Sequence, residues 1–80
     1  MFTVYVLKSL KNGRYYTGST NDLEKRLNEH NSRKSTYTKL TAPFMLVYME
    51  NYASRSDAVK REMFLKTGKG REWLKPRLSM

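Results

Sequence analysis

Arg26 and His30 are four residues apart in a segment with helical spacing, so they share a helix face bordering the stripe made by Leu23 and Leu27. A guanidinium is a planar fork suited to phosphate, and an imidazole takes or gives a proton near neutral pH. The two can therefore converge on one ligand; the plainer alternative is a solvated arginine beside a packing histidine. A second conspicuous side chain is Glu62. At about 100° per residue, Val59 and Met63 form one apolar side of its helix and Ala58 and Leu65 the other flank, with Glu62 between them. An unpaired buried carboxylate is costly, so Glu62 must meet a cation, a metal or water. Its simplest partner is Lys66, one turn on, in an exposed pair worth about 0.3–0.5 kcal/mol. The chain also has six tyrosines, three of them (Tyr5, Tyr15 and Tyr16) close to Asn12-Gly13. With a two-residue turn there, Tyr16 faces Ser9, and the strand period of two puts Tyr5 on the same side, separated from Tyr16 along the strand. Tyrosine is an ordinary strand residue. Hydroxyls beside Arg, His and Glu nevertheless make a polar site that packing alone does not require.

The elements that must hold these residues follow from local pattern. Residues 2–8 (FTVYVLK) are β-branched and aromatic, and Asn12-Gly13 favours a type I′ turn, so a hairpin with a second strand over 14–18 is expected. Gly18 weakens that strand and signals a bulge or a close approach. Asn21 with Glu24 predicts a helix cap and a helix through about His30. Residues 31–43 read as a surface loop carrying Tyr37, long enough to suspect function. The apolar run 44–49 predicts a strand, the central or most buried one of the sheet. Ser54 with Asp57 caps a second helix through Lys66, which Gly68 and Gly70 end, and residues 71–75 add a short turn of helix before Pro76. The order ββαβα plus a short C-terminal helix predicts an α+β fold: an antiparallel hairpin and a third strand covered by helices.

Composition narrows the function. Sixteen Lys+Arg against seven Asp+Glu give a net charge of +9, with no Cys and one His, which excludes a disulfide framework, thiolate metal ligation and His-rich zinc sites. Eighty residues support one core and one domain, 1–80. No apolar run approaches the roughly 20 residues that cross a bilayer, and the first residues lack a signal-peptide pattern, so a cytosolic protein without membrane association is expected. The net positive potential attracts polyanions, nucleic acid first.

Taken in order, Val4-Tyr5-Val6, Tyr16-Thr17-Gly18, Arg26, His30 and Glu62 resemble the GIY-YIG nuclease domain. Over about residues 3–73 the chain is similar to the small stand-alone GIY-YIG proteins of bacteria. The resemblance implies a three-stranded antiparallel sheet flanked by helices and a metal-dependent endonuclease that cuts DNA, leaving 5′-phosphate and 3′-hydroxyl ends; as partner, DNA comes before RNA, with RNA left open. It implies that Tyr5 lies near the attacking water, Tyr16 near the scissile phosphate and Arg26 on that phosphate. His30 stands where the family carries His or Tyr, and either Tyr5 or His30 takes the proton. Gly18 lets backbone and substrate approach, and Glu62 is the single carboxylate ligand of one Mg²⁺ or Mn²⁺. Tyr37 and Lys66 are further candidates for substrate contact. The first motif lacks its glycine, and no Asn follows Glu62, where larger members carry one. The expected choice of target is by structure or ends rather than by sequence, since the chain shows no additional DNA-binding domain. The alternative is a non-catalytic nucleic-acid-binding module on the same scaffold, with Tyr15, Tyr48 or Tyr52 offering faces for base stacking.

Overall fold

The computed structural model describes residues 1–31 and 43–78. Tyr37 lies outside the described residues. Three strands, β1 (Phe2–Ser9), β2 (Tyr15–Thr20) and β3 (Phe44–Tyr52), form one antiparallel sheet in the order β2-β1-β3. The helices are α1 (Leu23–Asn31), α2 (Arg55–Leu65) and α3 (Gly68–Leu74), followed by a 3₁₀ turn at Lys75–Arg77. The expected α+β order is the observed one. No helix among the described residues is long and apolar enough to cross a membrane.

The middle strand is β1 and not, as the sequence suggested, the apolar run 44–49. Alternation along β1 feeds two cores. Val4 and Val6 join Val47, Ala58, Leu65 and Leu74 under α2 and α3, whereas Tyr5 and Leu7 join Phe44, with Leu23 and Leu27 of α1 packed against them. The run in β3 is continuous because both its faces are covered and because it bulges. Val6 pairs with Tyr48 but Leu7 with Leu46, leaving Val47 as the extra residue. Val47 and Tyr48 consequently both pack toward α2 and α3.

Local chemistry corrects several boundaries. The β1–β2 loop is wider than a two-residue turn: Ser9 N donates to Arg14 O, the buried Ser9 hydroxyl accepts from the Lys11 and Asn12 amides, and Gly13 adopts φ 75°. The register is thereby two residues from the expected one, with Tyr16 opposite Leu7 and Gly18 opposite Tyr5. A two-residue slip keeps every side chain on its face, so Tyr5 and Tyr16 do share one. β2 also continues through Thr20, two residues past its expected end, with no register shift at Gly18. Asp22 rather than Asn21 caps α1, its carboxylate accepting from Lys25 N at 3.1 Å. Ser54 caps α2 as expected, accepting from Asp57 N.

The buried line of α2 is narrower than its sequence suggested, holding Ala58 and Leu65 while Val59 and Met63 are exposed. Gly68 and Gly70 do not end a helix but lie within α3, whose cap is Thr67. The Thr67 hydroxyl donates to Phe64 O at 2.6 Å and accepts from Gly70 N at 3.1 Å, tying the end of α2 to the start of α3. A Cβ on Gly70 would lie 2.0 Å from Phe64 O and 2.6 Å from Leu65 Cα. The two helices cross where only a glycine fits.

A polar brace closes the β3 side. Glu50 accepts from Tyr48 and Tyr52 hydroxyls and from both arms of Arg61 (Nε 2.9 Å, Nη2 3.1 Å). Burial works to raise the Glu50 carboxyl, and the Arg61 fork with the two hydroxyls outweighs it, so the net shift is downward. Burial and the Glu50 hydrogen bond push Tyr48 up to about 12. Arg61 and Arg77 both lie over the Trp73 ring, at 4.5 and 3.9 Å from its centroid. The Tyr48 and Tyr52 hydroxyls are thus tied to Glu50, and both rings are partly buried against the core under α2 and α3.

Candidate active site

The edge strand β2 organises the site. Gly18 sits directly across from Tyr5, whose ring occupies the space a side chain there would fill: a Cβ would lie 2.5 Å from the Tyr5 hydroxyl and 2.8 Å from Cζ. The glycine thus marks a close approach, one of the two options its presence in a strand suggested. Without it the Tyr5 hydroxyl could not rest on the β2 backbone.

Around that hydroxyl, α1 and β3 add rings in edge-to-face contact. Tyr5 meets His30 at 6.3 Å, His30 meets Phe44 at 5.3 Å, and Phe44 meets Tyr16 at 5.2 Å between centroids. Phe44, the buried hub of this chain of rings, links three predicted site residues and was read from sequence only as part of a strand. Arg26, one turn before His30, is exposed, with Glu29 3.9 Å from its Nε. Burial raises the Tyr5 hydroxyl above its ordinary 10; the Arg26 charge works against this and the Glu62 charge adds to it. Both ions therefore act on the same hydroxyl.

Glu62 reaches β2 from α2. One of its oxygens accepts from the Ser19 hydroxyl at 2.6 Å and the other from Lys66 Nζ at 2.7 Å. The predicted ion pair with Lys66 is present, but the carboxylate is inward, its side chain 20% exposed against 53% for Lys66. Burial works to raise its pKa, and Lys66 and Ser19 outweigh that, so Glu62 is held ionised below the ordinary carboxylate range. Ser19 was missed because β2 was expected to stop at Gly18. Once the strand is extended, Ser19 pairs with Val4 and so faces α2 by simple alternation. Among the described residues no three Asp, Glu, His or Cys side chains come together as a metal cluster, so an ion here would rest on Glu62 with water or substrate oxygens. Hard carboxylate oxygens on an ionised side chain suit such an ion, provided Lys66 yields its place.

His30 carries a measurable signature. Burial, with Arg26 second, holds its pKa below the ordinary 6.5, and its buried Nδ1 has no hydrogen-bond partner among the described residues. The unfolded chain therefore binds the proton more readily than the folded one, so stability must fall as pH drops from about 6.5 toward the folded value. Glu50 and Glu62, whose folded pKa values lie below 4.5, lose their contribution only under more acid conditions. Thermal melts between pH 7 and 5 are expected to show a declining Tm that flattens in His30→Gln. Equal slopes in the two proteins would refute a neutral, half-buried His30.

Comparison with known proteins gives a consistent result. The family model described as the GIY-YIG catalytic domain matches residues 1–75. A UPF0213 protein of Staphylococcus saprophyticus is 43% identical over 65 residues, covering 80% of this chain and 78% of the relative. One from Staphylococcus haemolyticus is 41% identical over 73 residues, covering 90% and 88%. The solution NMR structure of a UPF0213 protein from Bacillus halodurans superimposes with a TM-score of 0.56 at 33% identity, covering 92% of this chain and 82% of that one.

Proposed function

Because the chain belongs to the GIY-YIG catalytic domain family, whose function is of nuclease type, we propose that it is a divalent-metal-dependent endonuclease that hydrolyses phosphodiester bonds in cytoplasmic DNA, selecting structure or acting without sequence preference. The observation that carries this reading is the Tyr5 hydroxyl seated on Gly18 at an edge strand, with the Arg26 cation and the Glu62 anion both acting on it.

In this reading the chain's own residues divide the work. Arg26, exposed and only loosely engaged by Glu29, takes the scissile phosphate in its fork. His30, neutral at pH 7, accepts the proton of the attacking water, while Tyr5, pushed above 10, keeps its own and orients that water or a phosphate oxygen. Tyr16 lines the phosphate from the same sheet face. The water oxygen bonds to phosphorus as the P–O3′ bond breaks, and the leaving 3′ oxygen takes a proton from solvent at the open β2 edge. Glu62 would hold the Mg²⁺ or Mn²⁺, with Ser19 kept on one oxygen and Lys66 released from the other toward phosphate oxygens. Bound there, the ion would supply Lewis-acid stabilisation of the negative charge gathering on the phosphoryl oxygens.

The non-catalytic binding module remains the competing reading, favoured by the engagement of both Glu62 oxygens, one by Ser19 and the other by the Lys66 cation. End-labelled single-stranded, duplex, flapped and branched DNA, with matched RNA, separates the two. Cutting is expected in Mg²⁺ or Mn²⁺ and none in EDTA, with Arg26→Ala slowing it by on the order of a hundred-fold at unchanged Tm. No cutting of any substrate, with salt-sensitive binding retained, would establish the binding module instead.

A further inference from the structure

We propose that the β1–β2 hairpin tip is a stacking platform for unpaired bases, with Tyr15 as its surface, so that the preferred ligand is nucleic acid containing a single-stranded segment. The proposal rests on the nuclease reading for its placement beside the scissile phosphate, and on its own observations for the binding.

The first observation is charge. Residues 1–21 contain Lys8, Lys11 and Arg14 and no acid; the first carboxylate is Asp22. A wholly cationic hairpin is complementary to a phosphate backbone. The second is exposure. Tyr15 is 45% and Leu10 54% exposed at the otherwise polar tip of the hairpin, and Lys8 Nζ lies over one face of the Tyr15 ring, 5.7 Å from its centroid. A cation over one face of an exposed aromatic leaves the opposite face for a base and sets the amine within reach of a phosphate. Among the described residues Tyr48, Tyr52 and Trp73 pack against the core under α2 and α3, Tyr16 packs against Phe44, and Phe64, although exposed, lies on α2 away from the cationic hairpin.

The third observation is rigidity. The Ser9 hydroxyl accepts two tip amides, Asn12 Oδ1 accepts from Arg14 N at 2.9 Å, and Leu10 N donates to Pro43 O at 2.9 Å. A tip already fixed in place loses little entropy on binding. The fourth is position. Tyr15, Thr17 and Ser19 alternate onto one face of β2, and Ser19 holds Glu62. Four residues of strand span about 13 Å, or about four nucleotides at the duplex rise of about 3.4 Å, and fewer for an extended strand. A strand passing Glu62 along the β2 edge reaches Tyr15 within a few nucleotides of the scissile bond. Neither a blunt duplex nor an acidic protein surface would use the ring, because one keeps its bases stacked and the other has none.

Fluorescence anisotropy in EDTA with labelled oligothymidylate, oligouridylate and a blunt duplex tests this without cleavage. Tyr15→Ala is expected to weaken single-strand binding about ten-fold, with Tyr15→Phe near wild type, the salt slope unchanged and duplex binding little affected. Loss with oligothymidylate but not oligouridylate, or with both, identifies the strand that stacks. Unchanged single-strand affinity, or an equal loss on the duplex, would overturn the platform. Failure of the nuclease reading looks different: wild type does not cut, yet Tyr15→Ala still loses single-strand binding.

Discussion

Glu62→Gln is expected to reduce phosphodiester cleavage on the order of a thousand-fold at saturating Mg²⁺ while leaving the domain folded. The substitution keeps the shape and still offers Ser19 an acceptor, but it removes the negative charge that would hold a hard cation. What it takes from stability is the pair with Lys66, whose ammonium is half exposed, so the loss falls within the roughly 0.2–1 kcal/mol range of solvent-screened pairs. Activity and stability should therefore separate. Mg²⁺ titration followed by calorimetry should show weakened binding in the variant. If Glu62→Gln cuts within a few-fold of wild type, Glu62 is only the ion-pair partner of Lys66 and the site needs another centre.

The largest effect on folding is expected at Gly70. In an exposed helix, Gly→Ala ordinarily stabilises by about 0.5–1 kcal/mol, and here the sign should reverse. The added methyl would meet Phe64 O at 2.0 Å and Leu65 Cα at 2.6 Å, backbone atoms at the end of α2 that cannot rotate aside. Thr67 pins the same crossing from both sides. Overpacking of this kind costs about 3 kcal/mol, a large share of the 5–15 kcal/mol typical of a domain, and corresponds to a Tm lower by roughly 15 °C. Gly68→Ala is the control: a Cβ there meets nothing within 4 Å, so its Tm should hold or rise. Similar melts for the two variants would show that the crossing can open without cost.

These glycines also show where sequence reading stops. Gly68 and Gly70 suggest a helix end by local propensity, but both lie within α3, and the close crossing of α2 and α3 sets the use of Gly70 alone, which no pattern within the segment announces. Val59 and Met63 suggested a buried stripe by spacing alone. The sheet instead takes Ala58 and Leu65, with polar Arg61 and Glu62 filling the rest of that arc through Glu50 and Ser19. What survived were relations fixed by parity or order. Tyr5 and Tyr16 remained on one face despite a two-residue slip, and Arg26 and His30 remained a turn apart on α1 although its cap moved by one residue. The inward setting of Glu62 was legible as an inconsistency, a carboxylate within an apolar arc. Ser19 and Phe44 were not legible as site residues, because each acts through a partner on another element.

The setting of Trp73 also has an optical consequence. It is the chain's single tryptophan, and it lies beneath Arg61 and Arg77 where α3 joins the brace on Glu50. Excited at the red edge of the indole band, where the six tyrosines do not absorb, the protein therefore gives emission from one side chain, placed on the β3 side while the reacting groups gather along β2. Its emission gauges whether α3 remains docked, so the folding of the Arg26, His30 and Glu62 variants can be followed in the cuvette by a signal outside the helices or strands being altered at the site, while in Gly70→Ala the same signal reports on the altered helix itself.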